Sequence, residues 1–297
     1  MTGAAFGQIV LVGAGNMGGA MLARLRDLGW SVAVNDTDAR AHAQAVALGA
    51  VPCSSAEQAA QVLAPQGVLL VAVVDAAQTD AVLWGVGGAG AHLQPGQCVM
   101  LCPTLGPATV ELQAKRLALQ GVDCMDAPMS GGPLRAREGR MSLMVACSDA
   151  VWTRHQNLLN ALSDQVFHVG TRAGDGARTK LVNNLLAAVN LAGAAEAMAL
   201  AERLGLAPAA TLSVIEASSG QSWIGSDRMR RALAGDLVPR AHVSLLAKDT
   251  GLALQAAEEV AFDPPLGRIA RELFAQALQQ GWADLDDAAL LQLMRQR

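Results

Sequence analysis

From Gln8 to Val169 short apolar runs alternate with stretches in which apolar residues recur every three to four positions. Strand-like and helix-like periods in alternation are the pattern of a parallel sheet covered by helices. The predicted strands are QIVLV, SVAV, GVLLVAVV, CVMLC, VDCMDA, MSLMV and QVFHV; the predicted helices are MLARLRDLG, ARAHAQAVALG, 109–119 and 150–162. Gly29 and Gly49 stand where the first two helices are expected to end in a left-handed residue. Beyond Gly170 the strand signals stop, and alanine- and leucine-rich helical segments run to the last residue. The pattern therefore predicts a doubly wound, mostly parallel α/β domain over residues 1–170 and an all-α domain over 171–297, with the boundary between Val169 and Gly174. The tract from Gly176 to Leu204 holds no proline and would form a helix of roughly 40 Å at about 1.5 Å per residue, long enough to join the two.

Composition narrows the function classes. A chain of 297 residues fits two domains of ordinary size, each with its own core. Only 16% of residues are charged, against roughly 25% in soluble domains, while 52% are hydrophobic. Much surface must be buried, in a large core or against another subunit, so a homo-oligomer, dimer or tetramer, is expected. A net charge of −4 without a basic tract argues against a nucleic-acid partner. No charged leader precedes an apolar stretch at the N-terminus, so neither a signal nor a transit peptide is read, and a cytoplasmic location is expected. The apolar tract from Leu181 to Leu200 is interrupted by Asn183, Asn184, Asn190 and Glu196, which reads as a buried helix and not as a membrane span. Five cysteines, Cys53, Cys98, Cys102, Cys124 and Cys147, lack zinc-like spacing and fit reduced, mostly buried thiols. The five histidines are scattered without ligand spacing, so no metal site is expected.

Candidate chemistry lies in four stretches. GAGNMG, residues Gly13, Ala14, Gly15, Asn16, Met17 and Gly18, follows a predicted strand and opens a helix, the context of a Rossmann dinucleotide-binding turn. Gly13 permits the tight turn, Gly15 lets a pyrophosphate approach the backbone, and Gly18 allows close helix-to-strand packing. After the second strand come Asn35 and Asp36, where such a domain meets the adenosine ribose. An acidic Asp36 would bond the ribose and repel a 2′-phosphate, and no arginine follows until Arg40, so NAD is expected before NADP. A solvated turn aspartate is the alternative. DAPMSGG, from Asp126 to Gly132, ends a predicted strand; the Ser130 hydroxyl and the N–H groups of Gly131 and Gly132 suit a carboxylate, although a plain loop would read the same. GDGARTKLVNN puts Lys180 and Asn184 four residues apart on one helix face. A lysine in a closed cleft is made easier to deprotonate by desolvation and can exchange a proton with a hydroxyl; a solvated helix lysine is the reading without the other motifs.

In this order the segments resemble the β-hydroxyacid dehydrogenase family, which includes 3-hydroxyisobutyrate dehydrogenase, tartronate semialdehyde reductase and the related 6-phosphogluconate dehydrogenases. LVGAGNMGGAM is similar to its cofactor motif, DAPMSGGPLRAREGRMSLMV to its substrate motif, GDGARTKLVNN to its catalytic motif and KDTGLAL to its second cofactor motif. The resemblance covers nearly the whole chain. It implies an enzyme with Lys180 as general acid/base and Ser130, Gly131, Gly132 and Asn184 around the substrate. It also implies Lys248 near the nicotinamide, with Asp249 as its helix neighbour, and Val74, Asp75 and Thr104 along the cofactor. The sequence departs from the family pattern at Asp75, where proline is common, at Pro103 and Gly106, where serines are usual, and at Arg140, where a small threonine is common. The Ser222–Trp223 pair is most similar to the L-threonate dehydrogenase branch and implies Trp223 in the substrate pocket, with buried packing as the alternative; Asp227 and Ser226 depart from that branch.

The resulting expectation is a dehydrogenase that moves a hydride between NAD(P) and a small 3-hydroxy or 2-hydroxy carboxylic acid, L-threonate or a similar polyhydroxy acid, in a cleft at the carboxyl edge of the sheet. An NADPH-dependent reductase of small semialdehydes stays open, as does a non-catalytic dinucleotide-binding sensor.

Overall fold

A computed structural model describes residues 8–297; the N-terminal segment on which the expectation about a leader rests lies mostly in residues 1–7, outside the described residues. The described residues divide into two compact units, 8–180 and 181–297.

The first unit is built on a nine-stranded sheet: β1 (Ile9–Val12), β2 (Val32–Asn35), β3 (Val51–Pro52), β4 (Val68–Val71), β5 (Cys98–Leu101), β6 (Asp123–Asp126), β7 (Met129–Ser130), β8 (Ser142–Ala146) and β9 (Gln165–Gly170). Its helices are α1 (Asn16–Asp27), α2 (Ala39–Ala47), α3 (Ala56–Gln61), α4 (Ala76–Trp84), α5 (Pro107–Ala118), α6 (Gly132–Glu138) and α7 (Asp149–Leu162). The strand order is β3-β2-β1-β4-β5-β6-β8-β7, with β9 paired to β8. The first six strands are parallel, so the sheet is doubly wound, and the order reverses between β1 and β4. Strands β1, β2, β4 and β5 are buried throughout, because helices cover both faces. Along β1, Ile9 and Leu11 pack with Met21 and Leu22 of α1, while Val10 and Val12 pack with Ala59 of α3 and Leu83 of α4. β8 runs antiparallel to the end of β6, Asp126 opposite Ala146, and to β7.

Local chemistry sets the ends of these elements. Gly29 and Gly49 have φ of +82° and +87°, as the helix stops at those positions require. Asp38, Ser55, Asp75 and Ser148 cap the N-termini of α2, α3, α4 and α7 with side-chain oxygens. The strand expected from Gly67 to Val74 stops at Val71, because the chain turns there into the cap of α4.

The second unit is helical: α8 (Asp175–Arg203), which begins in the first unit, then α9 (Pro208–Glu216), α10 (Trp223–Leu233), α11 (Val243–Glu259), α12 (Pro265–Gln279) and α13 (Leu290–Arg295). By length and composition α8 would pass for a membrane span. Its Ala188, Leu191, Ala195 and Met198 are instead packed into a core with Phe274 of α12 and Leu290 and Leu291 of α13. Two buried arginines brace this unit. Arg231 meets both carboxylate oxygens of Asp286 at 3.1 Å, and Arg228 bonds Asp287 and Asp227. All five cysteines are free thiols, four of them buried. Burial pushes Cys102 up to about 12 and Cys147 up to about 11, so neither is a thiolate near neutral pH.

Candidate active site

The parallel strands deliver several of the expected residues to one edge of the first unit. Gly13 follows β1, Asp36 follows β2, Val74 and Asp75 follow β4, and Thr104 follows β5. The loop that reaches Ser130 follows β6. All lie at the carboxyl ends, where open α/β sheets bind their ligands.

The glycine turn fits a dinucleotide. Gly13 has φ +93°, and a Cβ there would stand 2.7 Å from the Ala72 carbonyl oxygen. At Gly18 it would stand 1.9 Å from the Gly13 carbonyl oxygen, so only hydrogen permits α1 to sit this close to the strand. At Gly15 no atom lies within 4 Å: nothing in the fold requires a glycine there, and the exposed backbone is open to a phosphate at the start of α1. Ala14, Gly15, Asn16, Asp38 and Arg40 line a depression of 840 Å³. Met17 packs against the sheet core. Asp36 ties the turn to the second strand: its Oδ2 accepts from the Ala14 N–H at 2.5 Å and its Oδ1 from the Asp38 N–H at 2.8 Å. Asn35 is buried, and its side-chain amide donates to the Cys53 carbonyl at 3.0 Å, holding the chain after β3. Val74 is half-exposed and its N–H donates to Gln78 Oε1 at 2.9 Å. Asp75, the departure from the family's proline, accepts from the Gln78 N–H at 2.9 Å.

Ser130 ends β7, and Gly131 caps the start of α6. Gly131 and Gly132 take φ of +127° and +75°, values that turn successive N–H groups out of the strand direction and that side chains disfavour. Lys180 sits in the second turn of α8 and is only 6% exposed. The start of that helix is held by a residue that sequence reasoning had not singled out. Asp126, at the end of β6, accepts with its Oδ2 from the N–H groups of Gly174 at 2.9 Å and Ala177 at 3.0 Å. Burial pushes the Asp126 carboxyl up to about 6, against the opposing pull of these N–H groups. Asn184 lies one turn beyond Lys180 on the same helix.

In the second unit Asn184 is buried and organised by Asp249. Its amide donates to Asp249 Oδ2 at 2.6 Å, and its Oδ1 accepts from the Asn183 amide at 3.0 Å. The ammonium of Lys248 lies 3.1 Å from Asp249 Oδ1. Asp249 thus joins two expected site residues, although only its place beside Lys248 was legible in the sequence. Trp223, 48% exposed, begins α10 after Ser222, whose hydroxyl is used as the helix cap and accepts from the Gly225 N–H at 3.1 Å. The Arg228 guanidinium lies 5.9 Å from the Trp223 ring centre. No cluster of three or more metal-ligating side chains occurs among the described residues.

Comparison with known proteins bears on each unit. Residues 8–170 match the family described as the NAD binding domain of 6-phosphogluconate dehydrogenase. Residues 174–294 match the one described as NAD-binding of NADP-dependent 3-hydroxyisobutyrate dehydrogenase. The chain is 36% identical to an L-threonate dehydrogenase of Cupriavidus necator, over 96% of this chain and 95% of the relative. It is 30% identical to a 2-hydroxy-3-oxopropionate reductase of Escherichia coli, over 97% of each. The crystal structure of a 3-hydroxyisobutyrate dehydrogenase from Salmonella typhimurium is similar with a TM-score of 0.88 and 33% identity, covering 96% of this chain and 99% of that one.

Proposed function

The chain belongs to the 3-hydroxyisobutyrate dehydrogenase family, and from that premise we propose that it oxidises L-threonate, or a polyhydroxy acid of similar size, with NAD. As a family member it is an NAD(P)-dependent dehydrogenase of hydroxy acids. The observation that carries the proposed chemistry is Lys180, a buried amine on a helix whose start is bonded to the strand end from which the Ser130–Gly132 loop departs; the choice of substrate follows the 36% identical L-threonate dehydrogenase.

The nicotinamide, when bound, supplies the acceptor for the carbon-bound hydride. Lys180, unprotonated, takes the proton of the substrate hydroxyl; in the reverse direction its ammonium returns that proton to the carbonyl oxygen. Ser130 and the N–H groups of Gly131 and Gly132 hold the substrate carboxylate. Asn184 and Trp223 complete the substrate's surroundings, and Lys248 serves the nicotinamide end. Gly13 to Met17 receive the pyrophosphate, while Asn35, Asp36, Val74, Asp75 and Thr104 border the rest of the cofactor. Residues 1–170 act as the cofactor domain and 171–297 as the substrate and oligomerisation domain of a cytoplasmic dimer or tetramer.

NAD is preferred because the Asp36 carboxylate would repel a 2′-phosphate. Arg40, which lines the depression beside Gly15, favours a second reading: an NADPH-dependent reductase of small semialdehydes. Its support among relatives is the Escherichia coli reductase. Following NADH and NADPH formation with L-threonate, D- and L-erythronate, D-glycerate and 3-hydroxyisobutyrate separates the two. Preferential NAD reduction with L-threonate or an erythronate supports the proposal. A large NADP advantage with the best acid rejects the role given to Asp36, and tight NADH binding without any turnover would leave a dinucleotide sensor.

A further inference from the structure

Two parts of the proposed site leave the first unit from a common origin. Strand β6 ends at Asp126, and only four residues later the chain reaches Ser130. The same Asp126 grips the start of α8 through the N–H groups of Gly174 and Ala177, and Lys180 follows six residues after Gly174, about 9 Å along a helix at 1.5 Å per residue. The grip is backed by close packing. A Cβ at Gly176 would stand 2.7 Å from the carbonyl oxygens of both Asp126 and Met144, so the first turn of α8 lies directly on the end of β6 and the middle of β8.

We propose that Asp126 is a positioning residue: by bonding the first turn of α8 to the end of β6, it fixes the separation between the Lys180 amine and the carboxylate-holding loop at Ser130–Gly132. The inference rests on the proposed roles of Lys180 and that loop. A hydroxy acid has a set span from its carboxylate to its reacting hydroxyl, so a site that holds one end and deprotonates the other needs that separation held. A misplacement of about 1 Å costs on the order of 10²-fold in rate. A single oxygen, Oδ2, accepts both N–H groups, so an amide oxygen can replace it, whereas a methyl leaves both donors without this acceptor. One added methylene keeps the carboxylate but displaces the helix start.

The test uses the full-length chain with Asp126→Ala, Asp126→Glu and Asp126→Asn. Three readouts are taken: NADH affinity, kcat with the best hydroxy acid, and the rate at which acetic anhydride modifies Lys180, followed by mass spectrometry. The expected result is that Asp126→Ala and Asp126→Glu bind NADH within about twofold of wild type, lose at least tenfold in kcat, and have Lys180 modified at least threefold faster. Asp126→Asn is expected to keep a third or more of kcat and the wild-type modification rate. If Asp126→Ala does not fold, the contrast between the Glu and Asn variants decides. Wild-type kcat and Lys180 reactivity in the Glu variant, or an Asn variant as impaired as the Glu variant, overturns the inference. If wild type turns over no hydroxy acid, the functional reading fails, and the modification rates alone decide whether Asp126 positions Lys180.

Discussion

The three glycines of the cofactor turn are alike in sequence but not in structure, and two single-methyl substitutions separate their roles. At Gly18 an added Cβ would lie 1.9 Å from the Gly13 carbonyl oxygen and 3.3 Å from Ala72 Cβ. Relief requires the start of α1 or the turn to shift by more than 1 Å, an overpacking cost of about 1–3 kcal/mol. At about 2–4 °C per kcal/mol for a unit of this size, Gly18→Ala is expected to lower Tm by roughly 2–12 °C. At Gly15, where φ is −63°, an added Cβ meets no atom within 4 Å beyond its chain neighbours, so Gly15→Ala is expected to leave Tm within about 2 °C. Its methyl projects where the pyrophosphate must come. Loss of one charge-assisted hydrogen bond, worth about 1.5–3 kcal/mol, corresponds to a loss of roughly 10–100-fold in NADH affinity. Thermal melts monitored by circular dichroism give the first quantity and fluorescence titration with NADH the second. Wild-type NADH affinity in Gly15→Ala, or a wild-type Tm in Gly18→Ala, refutes the reasoning.

Two further outcomes follow from buried charges. Burial raises the Asp126 carboxyl from 3.8 to about 6, so between those values the native state retains a proton that the unfolded chain has released. The stabilisation this provides is greatest below pH 4 and is lost as pH rises through 6. At about 1.36 kcal/mol per unit, urea unfolding near pH 4 and pH 7.5 is expected to show wild type losing roughly 2 kcal/mol relative to Asp126→Asn; an equal difference at both pH values rejects the assignment. Arg231→Ala leaves the fully buried Asp286 without the guanidinium nitrogen that spans both its oxygens and is expected to cost about 3–5 kcal/mol in the same assay. A cost below about 1 kcal/mol shows that the pair does not brace the helical unit.

The doubly wound sheet was legible because strands buried on both faces read as uninterrupted apolar runs, of which IVLV and VLLV are examples. Strands β3 and β7, two residues each, are too short to show a period, and the six residues of α3 carry too weak a pattern to be read as a helix. The helix expected from Gly176 to Leu204 forms over Asp175–Arg203, since nothing in that tract interrupts it. Motifs confined to one stretch of chain were readable from order and spacing. Asp126 and Asp249 were not, because their partners lie 48 and 51 residues away for Asp126, and 65 for the bond with Asn184. Asn35 shows the opposite limit. Its place after the second strand pointed to the cofactor, but only the fold shows its amide bonded to the Cys53 carbonyl.

Removal of one amine tests the chemistry most directly. Lys180→Ala, assayed beside wild type with the best hydroxy acid and NAD, is expected to lose about 10²-fold or more in kcat, the lower end of acid/base contributions, while NADH binds within twofold of wild type. A variant that keeps wild-type turnover contradicts proton transfer by Lys180.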